Sequence, residues 1–239
     1  MKSVFLSDVH LRTERDWGYR RILNFLDGIK NDVERIFIVG DFFDFWFCRN
    51  GSIYPPFREP VDKILELAER GVRISIFEGN HDFELAAYFG GKGIEVYPDW
   101  ADFTLEGLRF LVSHGDTVDR SNYRYLALRK ILRSGAFWRF QEMMPRPLLW
   151  QMASASSIVS KGLTVESQKA LAEKMDAFAR EKFAEGIDAV VLGHCHIPLL
   201  RQYEVKGRLK TFVTLGDWVE HFSYLVFEEG RFELFFSES

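Results

Sequence analysis

Five short segments of this chain crowd carboxylate, imidazole and amide groups together. They are Asp8-Val9-His10, Gly40-Asp41-Phe42-Phe43-Asp44, Gly79-Asn80-His81-Asp82, His114-Gly115-Asp116 and Gly193-His194-Cys195-His196. Five of the chain's six histidines fall within them. Taken singly, each segment is compatible with an ordinary turn. Gly-Asp is a common turn dipeptide, and Asn-His-Asp makes an Asx-turn with a solvated histidine. His194 and His196 at a strand exit would, by alternation, share one side. As a set they say more, because carboxylate, imidazole and amide oxygen together suit Mn²⁺, Fe or Zn²⁺. His81 stands open among three roles: metal ligand, proton donor or polar turn residue.

Each segment follows an apolar run that must position it. "SVFL" ends at Ser7-Asp8, "RIFIVG" at Asp41, "RISIFEG" at Asn80, and "DAVVLGH" at His194. These short, β-branched-rich runs read as buried strands. Between the first three lie two amphipathic helical patterns. One is "WGYRRILNFLDGIK", with Ile22, Leu23, Phe25, Leu26 and Ile29 as its apolar stripe. The other is "PVDKILELAERG", with Val61, Ile64, Leu65 and Ala68 inward and Gly71 as its C-cap. Strand–helix–strand order predicts βαβ units, whose strand ends gather at one edge of a sheet. From residue 102 the pattern changes to a hairpin turning at Glu106-Gly107, its second strand ending at His114. Residues 118 to 162 then read as helical, basic and aromatic. A further helix, "VESQKALAEKMDAFAREKF", presents Leu171, Met175 and Phe178 on one face with Thr164 as N-cap. The C-terminal part alternates as strands with turns at Lys206-Gly207 and Glu229-Gly230. The fold class is therefore α/β (α+β): two packed mixed sheets flanked by helices, in one domain over residues 1–239 with a helical insertion at about 118–163.

Composition narrows the setting. The chain has 239 residues, 47% of them hydrophobic, enough for a sizeable core. Its 23 phenylalanines predict either a Phe-packed interior or an apolar groove. No apolar run approaches the roughly 20 residues of a membrane span. Asp8 and His10 interrupt the apolar N-terminus, which argues against a signal sequence. Cys48 and Cys195 are far apart, which argues against a disulfide framework. A cytoplasmic protein is expected. The net charge of −4 is uneven: residues 119–161 carry +6 and the remainder −10. A basic segment on an acidic body predicts an anionic partner, whether phosphate, membrane face or nucleic acid.

The five segments in this order resemble the calcineurin-like metallophosphoesterases, whose blocks are D-x-H, G-D-x-x-D, G-N-H-D, H-G and G-H-x-H. The likeness spans the chain and implies an αββα sandwich. It further implies two divalent metal ions, Mn²⁺ in the first place with Fe or Zn²⁺ as alternatives. Asp8, His10, Asp41 and His196 would hold one ion; Asp41, Asn80, His114 and His194 the other, with Asp41 bridging. Such a pair clamps a phosphoryl group and generates hydroxide for hydrolysis. In this resemblance His81 is the catalytic group beside the leaving oxygen, and Asp44 the carboxylate that orients its imidazole. Asp82 and Asp116 are expected to anchor their loops by accepting backbone N–H bonds. Cys195 is read as buried packing, and His221 as an ordinary strand-edge histidine.

Within that superfamily, "LSDVHL", "GDFFDFW", "SHGDTVDRSNYRYLALRKIL" and "VTLGDW" look most like the UDP-2,3-diacylglucosamine pyrophosphatases of lipid A biosynthesis. The resemblance implies hydrolysis of UDP-2,3-diacylglucosamine to UMP and 2,3-diacylglucosamine 1-phosphate, by hydroxide attack on the α-phosphorus. It also implies a helical lid at about 118–163 that receives acyl chains and contacts the inner-membrane surface. Nucleic acid and protein partners are not expected. Asn80, His81, Asp119, Tyr125, Ser160 and Lys161 are the expected substrate contacts. Phe137, Phe140, Met143, Met144, Leu148 and Trp150 supply soft apolar area that either binds acyl chains or packs the insertion. The chain departs from the commoner lipid A pattern at one position, carrying His81 where many members have Arg. The alternative activity is a phosphodiesterase or nuclease on the same scaffold, with the basic insertion holding another phosphodiester.

Overall fold

A computed structural model describes residues 2–48, 51–145 and 167–237. Ser160, Lys161, Thr164, Leu148 and Trp150 lie outside the described residues. Alternation along the strands builds four layers. In β1 (Ser3–Leu6), β2 (Arg35–Val39) and β3 (Arg73–Phe77), residues such as Val4, Ile36 and Ile74 face helices α1 (Trp17–Ile29) and α2 (Arg58–Glu69). Their neighbours Phe5, Phe37 and Phe77 face a second sheet. That sheet holds β5 (Ala101–Leu105), β6 (Leu108–Ser113), β7 (Ala189–Leu192), β8 (Pro198–Val205) and β9 (Arg208–Leu215). Its outer face, with Leu111, Val190 and Phe212, packs on Leu171, Met175, Ala179 and Phe183 of a long helix. This is the expected sandwich of two mixed sheets between helices.

The phenylalanines are shared between the inter-sheet core and the core under the helices. Phe5 and Phe37 stack at 4.2 Å, and Phe110 lies 4.9 Å from Phe227. Fully burying one such ring contributes about 1.5–3 kcal/mol. A second aromatic cluster joins Phe43 and Trp46, which flank Asp44 in the chain, to Phe57 and so packs that loop.

The first sheet runs β11 (Arg231–Phe236), β10 (Ser223–Glu228), β1, β2, β3, β4 (Ile94–Tyr97). β1 to β4 are parallel, and so are β6, β7 and β9. Parallel strands end on the same side, so all five chemical segments emerge at one edge. The sequence reading passed over β4, and with it the short helix α3 (Ala86–Phe89). β4 is a four-residue edge strand in which Ile94 alone is buried, so its apolar signal is weak. Pairing with β3 holds it in place.

Two helix starts differ from expectation. α2 begins at Arg58 because Pro55–Phe57 forms a 3₁₀ turn that runs directly into it. Its fully buried stripe is Pro60, Val61, Ile64 and Leu67, with Leu65 and Ala68 half-buried. After α4 (Tyr123–Leu132) and α5 (Gly135–Met143), α6 (Gln168–Ala184) is capped by Ser167, whose hydroxyl accepts from Ala170 N at 3.2 Å. The cap is therefore Ser167 in place of Thr164.

Candidate metal centre

The loops at the shared edge are zipped together by their own backbones. Asp8 N donates to Gly40 O at 3.1 Å and His10 N to Asp41 O at 2.9 Å, while Trp218 N reaches Asp8 O at 3.0 Å. Asp8, His10, Asp41, His194 and His196 all hold left-handed φ, between 51° and 67°. Each such residue costs about 1–3 kcal/mol and persists only where its surroundings impose it. The strained backbone turns the side chains inward. The glycines make room: a Cβ on Gly79 would stand 2.1 Å from Asp41 Oδ1, and one on Gly40 would stand 2.5 Å from His114 Nδ1.

Asp8, His10 and His196 form one group, buried except for half-buried His196, each offering a donor atom within 4.8 Å of the others. Asp8 Oδ2 accepts from His194 N at 2.9 Å. Asp8 Oδ1 is buried without a hydrogen bond, 3.4 Å from His196 Nε2 and 3.8 Å from His10 Nε2. His196 Nδ1 faces Asp217 at 3.5 Å and His10 Nδ1 faces Asp44 Oδ1 at 3.3 Å. The Asp217 carboxylate beside His196 Nδ1 favours the ring proton there and leaves that Nε2 as a lone pair. Two imidazole Nε2 atoms and a carboxylate oxygen then meet, an arrangement that fits a cation.

Asp41, His114 and His194 form a second group of the same kind. His114 Nδ1 is held by Val39 O at 3.0 Å, and its Nε2 stands 3.1 Å from Asn80 Oδ1. Asp41 Oδ2 lies 3.4 Å from His114 Nε2 and 3.8 Å from His10 Nε2, so one oxygen faces both groups. Burial pulls the His114 imidazole down, but Asp41, Asp8 and Asp116 outweigh it and raise it to about 10. Burial and the neighbouring His114 push His194 down to about 4. A buried site that draws a positive charge to His114 is one a divalent cation would satisfy. The donor set therefore fits the ions that the sequence implied.

The two histidines of Gly-His-Cys-His separate, His196 joining Asp8 and His194 joining Asp41. Strand alternation fails there because both residues have left-handed φ and lie beyond β7. Cys195 is buried, as expected.

The surrounding carboxylates take more varied positions. Asp44 sends one oxygen to His10 Nδ1 and the other to Arg12 Nε at 2.6 Å. His81 Nδ1 meets the backbone oxygen of Asp44 at 3.1 Å and its carboxylate only at 4.0 Å. The Asp44 main chain, more than its side chain, orients His81, whose ring stands edge-on to His10 at 5.0 Å. Asp82 accepts four backbone N–H bonds, from Gly79, Asp41, Phe42 and Phe43, at 2.7–3.0 Å. Asp116 instead accepts from side chains, Tyr125 Oη and Arg129 Nε. It lies in the loop between β6 and α4.

Sequence reasoning assigned no role to Asp217. Its Oδ1 accepts from the N–H groups of Val219, Glu220 and His221, while Oδ2 lies 3.1 Å from His221 Nδ1 and 3.5 Å from His196 Nδ1. Burial raises this carboxyl, but the two histidines and the backbone donors hold it well below its usual range. The third Gly-Asp pair of the chain, in "VTLGDW", was the available signal. His221 lies in the turn before β10, paired with Asp217. Of the expected substrate contacts, Asn80 and His81 lie at the metal edge. The Tyr125 hydroxyl is engaged by Asp116, and Asp119 accepts from Ser121 and from Lys174 of α6 at 3.1 Å.

Comparison with known proteins agrees with this geometry. The calcineurin-like phosphoesterase family model matches residues 1–198. A protein of Aromatoleum aromaticum named UDP-2,3-diacylglucosamine hydrolase is 30% identical, over 94% of this chain and 92% of that protein. One of the same name from Aeromonas salmonicida is 28% identical, over 97% and 91% respectively. In fold, the chain is similar to a structure described as a novel archaeal phosphodiesterase, with a TM-score of 0.50 and 15% identity, covering 99% of this chain and 100% of that one. The matched segment contains every residue of both donor groups, and the chain belongs to the calcineurin-like phosphoesterase family.

Proposed function

We propose that this chain is a metal-dependent hydrolase that cleaves the pyrophosphate of UDP-2,3-diacylglucosamine, giving UMP and 2,3-diacylglucosamine 1-phosphate for lipid A biosynthesis. The observation that carries this reading is near full-length likeness to hydrolases of that name. The two donor groups that share Asp41 support the chemistry.

Asp8, His10, Asp41 and His196 would hold one ion, and Asp41, Asn80, His114 and His194 the other. Mn²⁺ is the proposed metal, with Fe or Zn²⁺ as alternatives. When bound, such ions supply the Lewis acidity that activates water and neutralises a phosphoryl group. The chain's own residues do the rest. Asp44 and Asp217 fix the rings of His10 and His196. His81, tied at Nδ1 to Asp44 O, would serve the oxygen of the departing 1-phosphate, donating a proton or stabilising charge there. Asn80 shares that edge.

The segment 118–163 is proposed as a lid for the acyl chains, resting peripherally on the cytoplasmic face of the inner membrane. Exposed Tyr123, Ile131, Phe140 and Met143 support this, beside the cations Arg124 and Lys130. Among the described residues, no helix is long and apolar enough to cross a membrane. The test is to assay the purified protein on UDP-2,3-diacylglucosamine beside bis-p-nitrophenyl phosphate. Release of UMP from the first is expected. Turnover of the generic diester alone would sink the lipid assignment.

A further inference from the structure

α4 has no fully buried residue, so polar side chains fasten it to the body. Tyr125 and Arg129 of α4 and its C-cap residue Arg133 recur every four residues along one side of the helix. Tyr125 Oη and Arg129 Nε both donate to Asp116 Oδ2, the latter at 2.7 Å. Asp116 is two residues past His114. Arg133 Nη1 donates to Glu78 Oε2 at 2.9 Å and to Pro98 O at 3.0 Å, while Nη2 donates to Gly79 O at 2.8 Å. Gly79 immediately precedes Asn80. The grip is buried: the side chains of Asp116 and Glu78 are 1% and 6% exposed, those of Arg129 and Arg133 17% and 15%.

His114 and Asn80 meet at 3.1 Å in the second donor group. α4 and its C-cap therefore hold both of the loops that deliver them. The first group is supported differently, by Asp44 behind His10 and Asp217 behind His196. Among the described residues, no hydrogen bond or ion pair joins α4 to the loops of Asp8, His10 and His196. We propose that Arg129 and Arg133 are positioning residues for the ion site of Asp41, Asn80, His114 and His194 alone, so that the insertion governs one of two metal sites. This inference rests on the two-ion reading above. Its physical reason is leverage, since a guanidinium that binds three oxygens fixes a loop's orientation as well as its position.

Mn²⁺ binding to the full-length protein tests it, by titration calorimetry and by electron paramagnetic resonance. The wild-type chain is expected to bind two ions in a spin-coupled pair. In Arg133→Ala and Arg129→Ala one binding step is expected to weaken about 10- to 100-fold, the loss seen when outer partners of metal ligands are removed. The other step stays unchanged, and isolated-ion signal replaces coupled signal. Arg133→Lys is expected to recover part of the loss, because an ammonium reaches Glu78 without spanning all three oxygens. Arg133→Gln carries the test where the alanine variant does not fold. Arg201→Ala, which removes a partner of buried Asp176 in α6, controls for general destabilisation and should leave both steps intact. Two unchanged steps in Arg133→Ala, equal weakening of both, or the same split in Arg201→Ala would overturn the proposal. Uptake of one ion or none by the wild-type chain would instead defeat the two-ion reading, and the proposal with it.

Discussion

The backbone N–H of His81 donates to Asp41 Oδ1 at 2.8 Å. That bond leaves Oδ2 facing His114 Nε2 and His10 Nε2 at 3.4 and 3.8 Å. In Asp41→Asn, the amide oxygen would keep the His81 contact and aim NH₂ at both donor groups. Flipping it would set NH₂ against the His81 N–H. Both ions are expected to be lost or weakened together, with activity reduced more than about 100-fold, since removing an outer partner alone costs 10- to 100-fold. Metal content by elemental analysis checks this, and retention of two ions would refute it.

His81→Ala is expected to keep two bound ions and lower kcat by about 10²- to 10⁴-fold, the range of one general acid–base group. Loss of metal in this variant would make His81 a ligand and remove its proposed role at the leaving phosphate.

Asp217→Asn addresses the residue that the sequence reading left without a role. It weakens the hold on His196 Nδ1 while leaving the Asp41, Asn80 and His114 side untouched. One Mn²⁺ binding step is expected to weaken about 10- to 100-fold. This is the step opposite to the one governed by Arg133, so the two variants combined should weaken both. Calorimetric titration of the single and double variants is the check.

Acid stability should depend on Asp176 of α6. This carboxylate is buried and accepts from Tyr203 Oη, from Arg180 and from Arg201. Burial raises its pKa, but these three partners prevail and hold it below its ordinary value of 3.8. A depressed folded-state pKa contributes stability above the unfolded value, and the contribution is lost as pH falls through the folded one. Asp176→Asn is thus expected to lose about 1–3 kcal/mol at pH 7. The gap should shrink as pH falls below 3.8. Urea melts at pH 7 and pH 3 measure it, and an equal gap at both would contradict the assignment.

The layers and the edge that carries the chemistry were legible because they rest on local periodicity. Alternation in "RIFIV" sends Ile36 to the helices and Phe37 to the sandwich wherever the strand lies. β4 escaped because its signal is tertiary: one buried residue, held in register by β3. The basic excess of the insertion was legible, but its use was not. Arg129 and Arg133 spend their charge inward on Asp116 and Glu78.

By itself, the sequence determined which residues could ligate and that their strands end together, since donor chemistry and strand period belong to the residues. Partner choice was decided only in three dimensions. Left-handed backbone at His194 and His196 sends two imidazoles that flank Cys195 to different groups. The Asp44 carboxylate pairs with Arg12, while its main-chain oxygen meets His81 Nδ1. Asp217 reaches His196 from a strand end twenty-one residues further along the chain, a distance that no local pattern encodes.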